Sequence, residues 1–438
     1  MQRTRTVPVV LALFVSLSPA VASAQQPLAE FIAGSDRASI DLRTAQAALD
    51  TSHAQIDEAR ARLLPNFVAS GTYTHNEIQI LRQFGCADMP SPIPPAMCMS
   101  PINVNLLPYD VFTGSLQLNV PIVDIQGWSV FFASEESANA ANERLDGSRQ
   151  DVHATVVQLW HQLVAAHAVR EAAQHNLDAV VASRDNVQAR FEAQVAPQLE
   201  LSRAEAEVLR AQQTIAEADL AIVLADRNLE LITGIAPSDA PAALEDDLHA
   251  EPPLDEFTSR AHEAPIVRAA AHAVRSAEMA VDAAWQGLLP TLVGAAREQA
   301  TSVAGLSAPN YWSIVLNASW TLDFLRPAQI GTSGDRLATA HAAEDLAVQQ
   351  AETRVFEQWH RVRSLRVRAA AARGARDALQ RADDDAHARY EAGAATQLEV
   401  ITADRDLLQA QVASIQADAD LGTARHTLRI RAGMEDAR

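Results

Sequence analysis

One stretch of this chain is written twice. RFEAQVAPQLELSRAEAEVL runs from Arg190 to Leu209, and RYEAGAATQLEVITADRDLL runs from Arg389 to Leu408, 199 positions later. A duplication constrains the fold more than any single residue, because one supersecondary plan has to satisfy both copies. The correspondence extends in both directions. ARLLPNFVASGTY from Ala61 is echoed by QGLLPTLVGAARE from Gln286, LQLNVPIVD from Leu116 by IVLNASWTLD from Ile314, and VVQLWHQL from Val156 by VFEQWHRV from Val355. Each half reads helix, LLP, strand, loop, strand, long helix, turn, helix. The offset is 225 at LLP but 199 at Trp-His, so the first half carries an insertion between its two strands.

The helical parts are long. From about Trp128 to Gln194 there is no proline and only Gly147 among glycines, which allows a helix of roughly 100 Å at about 1.5 Å per residue. Its partner begins near Pro197 and places Leu201, Val208, Ile215, Ile222 and Leu229 at intervals of seven. The second half answers with Val400, Leu407, Leu421 and Leu428, with Ser414 in the remaining place. A seven-residue repeat holds one seam against a neighbour only if the helices coil around each other, so coiled-coil hairpins are expected. The composition agrees: 48% hydrophobic residues with only 5% aromatics suits closely packed, alanine-rich helices.

The strands have period two. Phe112, Gly114, Leu116, Leu118 and Val120 share one face, and Thr113, Ser115, Gln117 and Asn119 the other. Trp312, Ile314, Leu316, Ala318 and Trp320 likewise alternate with Ser313, Val315, Asn317 and Ser319. Segments with one apolar face, one polar face and aromatic ends match a transmembrane barrel wall. Four strands are legible: these two, and those at Pro65 to Thr74 and Pro290 to Gln299. Four strands cannot close a barrel, and an open edge cannot sit in lipid with unsatisfied amides. Spanning a membrane therefore requires several chains to pool their strands; two copies give eight and three give twelve.

The opening residues place Arg3 and Arg5 before a short apolar run and then Ala22-Ser23-Ala24, the pattern of a secretory cleavage site. The expected organisation is a signal peptide at 1–24, a first repeat at 25–233, a proline- and acid-rich connector at 234–257 and a second repeat at 258–438. No later run is long and apolar enough for a membrane helix. The formal charge of -20 argues against a nucleic-acid partner, since phosphate contacts need clustered basic residues. Cys86 and Cys98 are the only cysteines; in an oxidising compartment they most simply pair with each other, which stabilises the loop by about 3 kcal/mol, and two free thiols are the alternative.

With LLP leading into a strand, NVPIVDIQGW leaving one, and above all RYEAGAATQLEVITADRDLL, the whole mature chain resembles the TolC-like outer membrane efflux family. The resemblance implies a mainly α fold with a small β part. Long coiled-coil hairpins and four transmembrane strands per chain would build a homotrimeric twelve-stranded barrel, continued as an α-helical tunnel into the periplasm. It implies an outer-membrane duct of a tripartite efflux or type I secretion system. The partners would be a periplasmic adaptor (membrane fusion protein), an inner-membrane transporter and outer-membrane lipid, with no cofactor. The gate would lie at the hairpin tips: Tyr390 matches the family's tip tyrosine, Glu399 its first acidic ring position, and Glu200 the acidic partner on the other hairpin, which a phenol can reach by hydrogen bond. Ala395 stands where the family carries arginine, Thr402 where a second acidic residue would be, and Gln194 where glycine would be.

Enzyme signatures are missing: there is no HExxH, GxSxG or phosphate-binding glycine loop. Trp160-His161 and Trp359-His360 recur in matching places but offer no shared ligand face, and read as packing. Asp383, Asp384 and Asp385 read as solvated surface, so neither a catalytic nor a metal site is expected. The other reading of the helices is a soluble periplasmic coiled-coil adaptor or scaffold.

Overall fold

The computed structural model describes residues 27–84, 102–237, 248–303 and 309–434. The signal peptide and the Cys86–Cys98 pair lie outside the described residues. In chain order the elements are α1 (Leu28–Ala38), α2 (Ile40–Arg62), β1 (Asn66–His75), β2 (Ile80–Phe84), β3 (Ile102–Leu107), β4 (Asp110–Val123), α3 (Ile125–Glu192), α4 (Gln198–Thr233), α5 (Leu254–Ala261), α6 (Pro265–Gln286), β5 (Thr291–Thr301), β6 (Asn310–Ser319), α7 (Leu325–Glu391) and α8 (Gln397–Arg431). The fold is mainly α with a small β part. Two compact units divide it: Ile40–Asp151 with Pro252–Glu357 and Arg429–Arg438, and Met1–Ser39 with Val152–Glu251 and Gln358–Leu428.

The first unit contains the sheet. Its strands run in the order β1-β4-β5-β6, all antiparallel, so β1 and β6 are open edges. Register places like with like: Phe67, Ala69, Gly71 and Tyr73 oppose Leu118, Leu116, Gly114 and Phe112, while Ser70 opposes Ser115 and Thr72 opposes Thr113. The Ser70 and Ser115 hydroxyls meet at 2.8 Å on the polar face. The insertion in the first half holds two strands that periodicity did not reveal, since β2 and β3 pair as a separate antiparallel ribbon.

Each passage from strand to long helix is capped by an aspartate. Asp124 Oδ1 accepts from the Gly127 N–H at 2.8 Å, and Asp323 Oδ1 from the Leu325 and Arg326 N–H groups at 3.1 and 3.0 Å. Both satisfy amides that the first helical turn leaves without partners. Proline sets other boundaries: Pro65 and Pro290 stand between helix and strand, and Pro265 opens α6.

The second unit is helical and its seams follow the sevens. On α4, Leu201, Val208 and Leu229 are buried, and Ala204, Ala211 and Ala218 fill the intermediate places. On α8, Val400, Ser414, Leu421 and Leu428 are buried, with Ala410, Ala417 and Ala424 between them. Alternating large and small residues let the helices approach closely, and each fully buried Val or Leu contributes about 1.5–3 kcal/mol. Where described, the connector is anchored. Arg425 of α8 donates to Glu251 Oε1 at 2.6 Å and to the His249 carbonyl at 2.8 Å, with both charged side chains almost fully buried.

No helix among the described residues is long and apolar enough to cross a membrane.

Candidate functional site

The two hairpin tips are one turn built twice. Val195 N–H donates to the Arg190 carbonyl at 2.9 Å and Gln194 N–H to that of Phe191 at 2.8 Å; Ala394 N–H donates to Arg389 at 2.7 Å and Gly393 N–H to Tyr390 at 3.0 Å. This is a Schellman turn, which needs one left-handed residue. Gly393 supplies it at φ 73 and Gln194 at φ 63. Losing the glycine in the first copy has therefore kept the turn and added strain. After the second turn, Thr396 and Glu399 form a capping box: Glu399 Oε2 accepts from the Thr396 N–H at 2.8 Å, and Thr396 Oγ1 from the Glu399 N–H at 3.4 Å.

The structure places the expected gate residues as follows. Glu399 is exposed and orders the start of α8. Thr402 is exposed with its hydroxyl bonded to the Leu398 carbonyl at 2.8 Å, Ala395 is half-buried at the turn, and Glu200 is half-buried in the first turn of α4. Tyr390 is buried. Its hydroxyl makes no hydrogen bond, so the expected bond to Glu200 is not formed. Instead, the Arg190 guanidinium lies over its ring, 4.9 Å from the centroid. Burial pushes the Tyr390 phenol above its ordinary range; the Arg190 charge opposes this and the Glu200 charge adds to it.

Two further contacts join the hairpins. Gln397 Nε2 donates to Ser183 Oγ at 3.2 Å, and Arg405 donates to Glu207 Oε2 at 2.9 Å. Arg190, Ser183, Glu207 and Arg405 were not singled out from sequence. Each looks like an ordinary helix-face residue until the second hairpin is in place.

Asp383 corrects its sequence reading. Val355, Val362, Ala369, Asp383 and Tyr390 are spaced by sevens or multiples of seven on α7 and are all buried, so Asp383 occupies a seam position rather than solvated surface. His387 Nε2 lies 2.8 Å from Asp404 Oδ1 on α8 and 3.8 Å from Asp383 Oδ1. Burial first, and the Asp404 charge second, raise the Asp383 carboxyl to about 6. Burial opposes protonation of His387, but its bond to Asp404 and the charges of Asp404 and Asp383 outweigh it and raise its pKa. These are the described residues that could hold a metal ion.

The tryptophan-histidine pairs diverge. His161 is buried, its Nδ1–H donating to the Val157 carbonyl at 2.8 Å, whereas His360 is exposed. Burial lowers the His161 pKa to about 4, so the ring is neutral.

The family model described as outer membrane efflux protein matches residues 37–235 and 260–433. The chain belongs to the outer membrane efflux protein family. It is similar to the outer membrane efflux protein BepC of Brucella suis, at 23% identity over 322 residues, covering 72% of this chain and 71% of BepC. Its fold is similar to that of the outer membrane protein VceC from Vibrio cholerae, with TM-score 0.73, 17% identity and coverage of 93% and 96%. It is also similar to the open state of the MtrE outer membrane channel of Neisseria gonorrhoeae, with TM-score 0.72, 18% identity and coverage of 93% and 89%. This outer membrane efflux protein is thus a duct of the cell outer membrane with a large periplasmic part, from a family of channels and not of enzymes. Membership replaces the soluble adaptor reading.

Proposed function

We propose that three copies of this efflux protein form one exit duct of a tripartite efflux or type I secretion system. In that duct an inner-membrane transporter supplies cargo and a periplasmic membrane fusion protein docks at the hairpin tips. The observation that carries the reading is the exposure pattern of β4 over residues 112–117: apolar Phe112, Gly114 and Leu116 are exposed there, and polar Thr113, Ser115 and Gln117 are half-buried. That is the reverse of a soluble sheet and the pattern of a wall facing lipid. Two open edges in a lipid-facing sheet need partners, and further copies of the same sheet supply them without an unpaired strand.

Gating belongs to the tips in this reading. Arg190 over Tyr390, Gln397 to Ser183 and Arg405 to Glu207 hold the second hairpin against the first. An adaptor that prefers the released arrangement shifts the population toward it. Symmetry copies of exposed Glu399 at a narrow entrance form a negative ring that favours cations. Glu200, Thr402 and Ala395 line the same region, and the absence of arginine at 395 leaves Arg190 and Arg405 to hold the latch.

Single-channel recording of the reconstituted full chain tests this. Arg190→Ala with Arg405→Ala is expected to raise conductance, Tyr390→Phe to leave it unchanged because the ring rather than the hydroxyl makes the contact, and Glu399→Gln to reduce cation selectivity in the reversal potential. Unchanged conductance in the double arginine variant, or unchanged selectivity in Glu399→Gln, contradicts the gate assignment.

A further inference from the structure

We propose that Asp383, His387 and Asp404 bind one divalent transition-metal ion per chain, clamping α7 to α8 beneath the tip of the second hairpin. Asp383 and His387 are four residues apart on α7, so their side chains share a face, and Asp404 meets them from α8. One ligand atom from each lies within 4.8 Å of the other two.

A second observation points to an occupant. Asp383 is only 8% exposed, and its Oδ1 has no hydrogen-bond partner although it points toward His387 Nε2 at 3.8 Å. A buried carboxylate oxygen that accepts no hydrogen bond is unfavourable, and the 3.8 Å approach of His387 is too long to supply one. Beyond the three residues themselves, the charges that act on Asp383 and His387 are those of Asp384 and Glu391, both acidic. Such a field favours a cation.

The donor set narrows the chemistry. One imidazole nitrogen with two carboxylate oxygens suits zinc and its neighbours better than the all-oxygen cages of calcium or magnesium. Bonds of about 2.0–2.2 Å in a tetrahedral shell put ligand atoms roughly 3.4 Å apart. The present His387–Asp404 and His387–Asp383 separations of 2.8 and 3.8 Å lie on either side of that value. Binding opens the His387–Asp404 hydrogen bond and draws Asp383 closer to His387, with water in the fourth place. His387 is three residues before Tyr390, so the clamp would fix the helix that carries the tip tyrosine.

The test is calorimetric titration of zinc into the full chain, extracted in detergent and stripped with chelator, beside Asp383→Asn, His387→Gln and Asp404→Asn. Asp404→Asn is nearly isosteric, so one variant keeps its packing, and each variant's helical circular dichroism is checked. The expected result is one zinc ion per chain at the tightest site, at least about tenfold weaker in every folded variant, with a zinc-dependent rise in Tm only in the wild-type chain. Equal binding by wild type and variants, or no saturable site at one ion per chain, overturns the proposal. Neither readout involves conductance, so its failure leaves the duct reading untouched.

Discussion

Gln194 and His161 show how much one side chain can hide. Gln194 holds a left-handed φ that its counterpart Gly393 adopts without strain. Gln194→Gly is expected to stabilise the chain by about 1 kcal/mol, and Gly393→Ala to destabilise it by a similar amount, since a Cβ there meets nothing and only the backbone term acts. Thermal denaturation of the two variants checks the pair. At His161 the native state refuses a proton that the unfolded chain accepts. Its contribution is therefore complete above pH 6.5 and is lost as pH falls from there toward about 4, by up to about 1.4 kcal/mol per pH unit. Stability curves at pH 7 and pH 5 should converge in His161→Gln relative to wild type. Gly422 is the space that admits this ring: an added Cβ would sit 2.6 Å from His161 Nε2. Gly422→Ala should cost about 1–3 kcal/mol, and less in the His161→Gln background. Sequence showed the Trp-His repeat but not which histidine was buried, because that depends on the helix opposite.

Among the elements, the helices and the main strands were legible because their periods are strong and uninterrupted. Sevens marked the seams of α4 and α8, and period two marked β4 and β6 within two or three residues of their ends. The ribbon β2–β3 was not legible: its segments are short, and proline and cysteine between them read as a loop. Asp383 was misread for the opposite reason. A run of three aspartates looks solvated, and only the spacing from Val362 and Ala369 to Tyr390 betrays that the first of them faces the partner helix. The described end of the connector is held to α8 through Arg425 and Glu251. Because that pair is nearly dry, Arg425→Ala leaves an uncompensated carboxylate and should lower stability by about 3–5 kcal/mol, read as a fall in the denaturant midpoint. Replacing both partners by apolar residues should recover most of the loss.

For the whole molecule, everything turns on the sheet having two free edges and an outward apolar face. Trp312 and Ile314 are 74% and 75% exposed in the single chain, values that a lipid-facing wall explains and a water-facing one does not. Ile314→Arg is accordingly expected to cost about 2–4 kcal/mol and to reduce heat-resistant assembly in semi-native electrophoresis, whereas Ser313→Arg on the polar face should be far milder. The duplication and the open edges were readable from sequence and imply pooling, but the number of chains was not, because no residue counts its own copies. Native mass spectrometry of the detergent-extracted full-length protein measures it directly. A dominant species of three chains is the predicted result, and a stable monomer that needs no detergent would contradict the pooled barrel and the duct built on it.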